Sequence, residues 1–151
     1  MRPIRNSAKA LIIQDGRVLL TKNKDNDGFF YLFPGGGQEK GEELKDAVVR
    51  ECIEEIGCRV NVQDLVFVRE YIGKNHQFAE WDHDYHQVEF YFECMIEPGE
   101  AVGKGTNPDN AQVDVEWIEI SKLSDIRIYP AALIEKLAQG SYKPCYIGDT
   151  N

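Results

Sequence analysis

The sequence predicts a single α+β domain, a sandwich built around a mixed sheet. Three observations carry this. The chain has 151 residues, the size of one domain. Short apolar, β-rich runs recur along it, punctuated by glycine, proline and polar turns. Two stretches with apolar residues at three- and four-residue spacing interrupt those runs.

The elements follow in order. Lys9 to Ile13 is apolar and reads as a strand. Gln14-Asp15-Gly16-Arg17 supplies turn chemistry, and Val18 to Thr21 returns as its hairpin partner. Asn23 to Gly28 is a polar loop. Phe29 to Phe33 is a short strand stopped by Pro34 and a turn of three glycines, Gly35 to Gly37. Glu42 to Ile56 is the strongest helix, with Leu44, Ala47, Val48, Cys52 and Ile56 on one stripe and Gly57 closing it. Strands follow at Val60–Glu70, Gln87–Ile96 and Val113–Ile118. Pro130 opens a second helix, carried by Ala131, Leu133, Ile134, Leu137 and Ala138 and closed by Gly140. The domain is expected over 1–151, with a C-terminal tail over 141–151.

Composition narrows the partners. A chain this long buries roughly 68–70% of its unfolded surface, so it needs no disulfide or metal to fold. The longest unbroken apolar run is five residues, Phe29 to Phe33. A membrane helix needs about 20, so none is expected. The first residues lack the apolar core of a signal peptide, and a cytoplasmic protein is expected. Net charge is −9, with 26 acidic against 17 basic side chains. No cluster of Lys and Arg suits a nucleic-acid duplex or an anionic membrane. A small phosphorylated ligand remains open if a divalent cation carries the positive charge. Cys52, Cys58, Cys94 and Cys145 contain no Cys-x-x-Cys pair and read as reduced thiols.

The first helix carries a feature that packing does not require. Glu51, Glu54 and Glu55 stand at i, i+3 and i+4, so their carboxylates share a face. Like charges at this spacing cost a helix about 0.2–0.5 kcal/mol per pair. No Lys or Arg follows four residues on within the helix to relieve them. Directly upstream, Pro34-Gly35-Gly36-Gly37 lets backbone approach a phosphate or offer carbonyls to a metal. Hard divalent cations want such oxygen ligands.

These residues resemble the signature of the Nudix hydrolases, G-x5-E-x7-R-E-U-x-E-E-x-G-U, where U is a bulky aliphatic. Gly36, Glu42, Arg50, Glu51, Glu54, Glu55 and Gly57 occupy its fixed positions over residues 36–58. The departures are Cys52 and Cys58 at two U positions, which bear on packing rather than chemistry. Leu32 to Gly37, and Val115-Glu116-Trp117 with Leu123, resemble the segments that flank this box.

The resemblance implies the Nudix α/β/α sandwich and a Mg²⁺- or Mn²⁺-dependent hydrolysis of a nucleoside diphosphate linked to another moiety. ADP-ribose or a nucleotide sugar is favoured, possession of a nucleoside triphosphate pyrophosphohydrolase activity is the alternative, and a non-catalytic nucleotide-binding module is a third reading. It implies Glu51 and Glu55 as direct metal ligands, Glu54 as a further ligand or a base behind them, and Gly36 as a further residue at the metal. Glu42 and Arg50 brace the loop against the helix. The proton acceptor is Glu54 or a loop carboxylate, among Glu80, Asp82 and Asp84 or among Asp109, Asp114 and Glu116. Nudix proteins are often dimers, so a homodimer belongs to the same expectation.

Substrate contacts are expected from Arg5, Lys22 and Phe30 near the first hairpin. Phe78, Trp81 and Tyr85 are candidates for stacking on a base from a long loop over Lys74–His86. His76, His83 and His86 in that loop are expected to face solvent or substrate rather than form a metal site. Glu89 and Glu93 are expected on the wet face of a strand.

Overall fold

A computed structural model describes residues 1–140 and 143–151. The first strands are β1 (Arg5–Gln14), β2 (Arg17–Asp25), β3 (Gly28–Leu32) and β4 (Gly35–Gly37), and helix α1 (Leu44–Ile56) follows. Next come β5 (Val60–Ile72), a 3-10 turn at Gly73–Asn75 and the short helix α2 (Ala79–Asp82). The remainder is β6 (His86–Ile96), β7 (Gln112–Glu119), a 3-10 turn at Ile120–Asp125, β8 (Ile128–Tyr129), α3 (Ala132–Ala138) and β9 (Cys145–Asp149).

The expected hairpin forms where its turn chemistry puts it. Asp15 and Gly16 both take positive φ, 52° and 74°, and Gln14 pairs with Arg17. β1 and β2 are paired only near that turn, at Ile13–Val18 and Gln14–Arg17. Beyond it they part. β1 runs parallel to β6 from Arg5 to Ile12, and β2 pairs with β7. The result is one curled mixed sheet in the order β8-β3-β2-β1-β6-β5-β9, with β4 on β1 and β7 on β2.

Both faces of β1 are covered, which explains its unbroken buried run from Ser7 to Ile12. Ala8, Ala10 and Ile12 pack with Ala47, Val48, Cys52 and Ile56 of α1. Leu11, pointing the other way, joins Val18, Leu20, Phe33 and Tyr91 against Leu133 and Leu137 of α3. The sandwich therefore has α1 on one face and α3 on the other. Truncating a fully buried Leu133 to Ala in such a core costs about 2–5 kcal/mol. The four cysteines are free thiols, with Cys52, Cys58 and Cys94 buried as small hydrophobes.

Several expectations are corrected. Glu42 lies in the turn before α1, not on the helix, which begins at Leu44. Gly35–Gly37 is a strand, not only a turn: it pairs antiparallel with Ser7–Lys9. A Cβ at Gly35 would collide with Ala8 O, so only glycine lets the two backbones come this close. Pro130 precedes α3 by two residues, although its carbonyl accepts the first hydrogen bond, from Leu133 N. Glu89 is buried, whereas Glu93 is exposed as expected. The segment 74–86 is ordered by α2 and by Gly73 N–H to Tyr85 O, at 2.8 Å. Residues 141 and 142 of the expected tail lie outside the described residues. Cys145–Asp149 is a strand parallel to β5.

Candidate active site

The helix α1 and the glycine strand β4 make the site together. The buried stripe of α1 fixes its rotation, so Glu51 and Glu55 turn toward β4. Gly35 N donates to Glu55 Oε1 at 3.4 Å. At Gly36 a Cβ would come within 2.7 Å of Glu51 Oε1. The absence of a side chain there is what admits the Glu51 carboxylate.

Arg50 ties the preceding loop to this face. Its Nη2 donates to Glu42 Oε1 at 2.7 Å and to Gly37 O at 2.9 Å, and its Nε donates to Glu42 Oε2 at 3.2 Å. Glu42 Oε1 also accepts from Glu39 N at 2.8 Å. Arg50 Nη1 donates to Glu51 Oε1 at 3.0 Å and Glu54 Oε2 at 3.4 Å. The acidic face therefore does have a basic partner, against the sequence expectation, but it lies upstream of the acids rather than downstream. These bonds hold the Glu42 carboxyl below its ordinary range and raise the Arg50 guanidinium above its own.

Burial works the other way on the helix carboxylates. Glu51 is raised, first by desolvation, with Arg50 opposing. Glu55 is 3% exposed and is pushed up to about 8 by desolvation, which the charge of Lys9 only partly offsets. Asp109 adds to the rise at both Glu51 and Glu55. Glu55 Oε2 is buried and has no hydrogen-bond partner among the described residues. A buried carboxylate oxygen left this way costs free energy unless a proton or cation satisfies it. The donor set, hard oxygens from adjacent acids beside a glycine strand, suits a divalent cation. Among the described residues no three His, Cys, Asp or Glu side chains are placed to hold a metal ion as they stand. Arg50 spans Glu51 and Glu54, so a cation bound there would have to displace Nη1.

The C-terminal end of α1 is equally anchored. Gly57 takes φ 68° and its N–H donates to Cys52 O at 3.0 Å. Loop 103–107 then caps the last carbonyls, with Gly103 N on Ile56 O at 2.9 Å and Asn107 N on Glu54 O at 2.9 Å. Gln112 Nε2 donates to Glu55 O at 2.8 Å. The Asp109 loop is thereby fixed beside the carboxylates.

A model of the NUDIX domain matches residues 3–137. The chain belongs to that family. It is 36% identical over 72 residues to Nudix hydrolase 16, mitochondrial, of Arabidopsis thaliana, a match covering 48% of this chain and 37% of that protein. It is 41% identical over 58 residues to the nucleoside triphosphatase NudI of Salmonella agona, covering 36% and 41% respectively. The matched stretch is thus less than half the length of either curated relative. Among solved structures it resembles an ADP-ribose pyrophosphatase of Streptococcus suis, with TM-score 0.63, 21% identity and coverage of 97% and 100%. That likeness shows the shared Nudix fold. No helix among the described residues is long and apolar enough to cross a membrane.

Within this Nudix domain the predicted residues fall into two groups. Glu42, Arg50, Glu51, Glu54, Glu55 and Gly36 form one contiguous site. The proposed substrate contacts do not form one group, although Phe30 and Phe78 both meet Tyr129. Lys22 is paired with Glu116 at 3.0 Å and lies over the Phe29 ring at 4.2 Å. Phe30 meets Tyr129 and the Arg127 guanidinium. Phe78 packs edge-on against Tyr129 at 5.7 Å, and Trp81 is 77% exposed. The three loop aromatics therefore do not share one stacking surface. Tyr85 is different: its hydroxyl accepts from Arg5 Nη1 at 3.2 Å.

The loop carboxylates also separate. Asp82 accepts from Tyr71 OH at 2.7 Å and Asp84 from Arg2 N at 3.0 Å. Glu116 is engaged by Lys22 and Tyr31. The histidines do not converge: His76 pairs with Asp149, His86 with Glu70, and His83 is exposed. Sequence reasoning missed Lys9, which is buried beneath the site and donates to Phe33 O at 3.3 Å. Its signal was present, a lone Lys among Ala8, Ala10, Leu11 and Ile12.

Proposed function

We propose that the protein is a divalent-metal-dependent pyrophosphohydrolase acting on a nucleoside diphosphate linked to another moiety, ADP-ribose or a nucleotide sugar first. The observation that carries this is Glu55 Oε2, buried without a partner next to Glu51 over the Gly35–Gly36 strand. Glu51 and Glu55 would hold Mg²⁺ or Mn²⁺, with the Gly36 backbone alongside and Glu54 as a third ligand or, in the alternative, the base. Bound there, the cation supplies charge neutralisation of the bridging phosphates and activation of water.

The chain's own residues do the rest. Arg50 and Glu42 keep the glycine strand pressed to α1, so the carboxylates meet the substrate in one geometry. Glu54, 27% exposed at its side chain and 3.4 Å from Arg50 Nη1, can take the proton of an attacking water if it is not itself a ligand. Asp109 is the loop alternative, since its charge acts on both Glu51 and Glu55. All the box carboxylates are present, which argues against a binding module without turnover.

A second reading, hydrolysis of nucleoside triphosphates, is favoured by the similarity to the relative named nucleoside triphosphatase NudI. One experiment separates the two. ADP-ribose, nucleotide sugars and nucleoside triphosphates are incubated with and without Mg²⁺, and products are identified by mass. Cleavage of the linked diphosphates in Mg²⁺ and its loss in EDTA is the expected result. Release of pyrophosphate from triphosphates alone would favour the second reading, and turnover of nothing would overturn both.

A further inference from the structure

A cavity of about 790 Å³ opens beside the glycine strand, between the start of β1, the loop 38–42 and the start of β6. Arg2, Arg5, Asn6, Lys40, Tyr85 and His86 are among its lining residues. The chain carries a net charge of −9, yet three cationic side chains gather here. Among the described residues none of the side chains of Arg2, Arg5 and Lys40 is paired with a carboxylate. The two carboxylates on this rim, Glu39 and Glu42, both face Arg50, at 3.8 and 2.7 Å. A concave surface lined by unpaired cations concentrates anions.

Arg5 stands where the cavity meets the carboxylate site. Its guanidinium lies against Gly37, and a Cβ at that position would collide with it. The Gly37 carbonyl is the one that Arg50 holds at 2.9 Å. Arg5 Nη1 is steadied by Tyr85 OH at 3.2 Å, and Tyr85 OH donates onward to Gln87 Oε1 at 2.6 Å. Tyr85 thus orients the guanidinium without neutralising it. A planar, oriented guanidinium free of carboxylate is suited to phosphate oxygens.

We propose that this cavity seats a sugar-borne phosphate, the half of the substrate lying away from the metal helix, and that Arg5 is the specificity-determining residue that grips its phosphoryl group. Asn6, which donates to Gln38 Oε1, and His86, paired with Glu70, line the wall beside it. This rests on the pyrophosphohydrolase reading for its place in turnover, but the binding itself does not. Two halves of a linked diphosphate fit the description, a sugar phosphate and a nucleoside monophosphate.

The test is calorimetric titration of the full chain in EDTA with ribose 5-phosphate and, separately, with a nucleoside 5′-monophosphate. At least one should bind the wild type, and the one that binds identifies the half. Arg5→Gln should weaken that binding about 10-fold or more, the loss of charge-assisted contacts, and Arg5→Lys should restore part of it. Lys40→Gln, at an exposed loop position, should weaken it in the same direction and stands in if Arg5→Gln folds poorly. On any substrate that is hydrolysed, Arg5→Gln should raise KM and leave kcat within about 2-fold. Wild type binding neither probe, or both variants binding as wild type, would overturn the proposal. So would a fall in kcat at unchanged KM. Probe binding that depends on Arg5 in a protein that hydrolyses nothing would leave this inference standing while the hydrolase reading fell.

Discussion

Arg50 grips Glu42 with two hydrogen bonds, Nη2 to Oε1 at 2.7 Å and Nε to Oε2 at 3.2 Å, while the same Nη2 holds Gly37 O. One side chain thus joins helix, loop and glycine strand. Arg50→Ala is expected to lower both stability and activity. Hydrogen bonds to charged groups contribute about 1.5–3 kcal/mol each, and several are lost together. For a domain of this size about 2 kcal/mol lowers Tm by roughly 4–8 °C. Thermal melts alongside kcat/KM check this. A variant that keeps its wild-type Tm would show that the brace is decorative.

Glu54→Gln and Glu55→Gln are expected to lose about 10²-fold or more in kcat yet remain folded. For Glu55→Gln the metal-free protein should melt higher than wild type. Glu55 is buried with one unsatisfied oxygen, and burial already opposes its charge. Near pH 7 folding must protonate an acid that is ionised in the unfolded chain, and an amide of the same shape avoids that cost. Melting temperature and kcat measured on the same preparations decide it, and a lower Tm would count against the account.

Gly36→Ala should damage the site while sparing the core. The new Cβ would come within 2.7 Å of the Glu51 carboxylate, displacing a charged group rather than an apolar one. Mn²⁺ affinity, followed by water relaxation, should fall at least about 10-fold. Unchanged affinity would mean that Glu51 does not approach the metal over Gly36.

Asp149 ought to act on the segment 73–85 from the far end of the chain. Its Oδ1 accepts from Ile72 N at 2.9 Å and pairs with His76 Nε2 at 2.6 Å, and its Oδ2 accepts from Asn75 at 2.8 Å. His76 is stacked on Tyr71, whose hydroxyl donates to Asp82. Asp149→Ala should therefore raise amide exchange at residues 73–85 by about 10-fold or more, with α1 unaffected. Exchange that rises equally in α1 would indicate global destabilisation instead.

The legible parts of the molecule are those written in local spacing. The α1 stripe, Gly57 as its left-handed stop and the Asp15-Gly16 turn each depend on residues within a few positions of one another. The carboxylate site was legible for the same reason, since Glu51, Glu54 and Glu55 share one helix. Three features were not. The strand Gly35–Gly37 has no side chains to show a strand pattern, and exists because its backbone nests against β1. The expected tail over 141–151 holds a strand, Cys145–Asp149, whose partner Phe67–Glu70 is far away in sequence. Glu89 sits in an alternating strand where charge ordinarily marks the wet face. Its partner Arg69 is 20 residues upstream, and no local pattern announces the pair.

That pair supports the last prediction. Glu89 is 3% exposed and Arg69 is 5% exposed, with Arg69 Nε donating to Glu89 Oε1 at 2.7 Å. Tyr91 OH and Gln87 Nε2 add hydrogen bonds to the same carboxylate, at 2.5 and 2.6 Å. Burial alone would push Glu89 up, but the charges of Lys9 and Arg69 and these bonds hold it down at about 2. A carboxyl lowered on folding binds protons more readily in the unfolded chain. Its stabilisation is therefore complete above the unfolded value, roughly 4.5, and drains away as pH falls toward 2. Wild-type stability should decline across that window, with other lowered carboxyls such as Glu42 and Asp149 contributing. Glu89→Gln isolates the effect. At pH 7 it leaves Arg69 buried against a neutral amide and should cost about 3–5 kcal/mol. As pH drops from about 5 to 3 the gap between wild type and variant should narrow, because wild type alone is losing this contribution. Urea unfolding at pH 7, 5, 4 and 3 measures the gap directly. A gap that stays constant or widens as the pH falls would mean that Glu89 does not carry a buried charge.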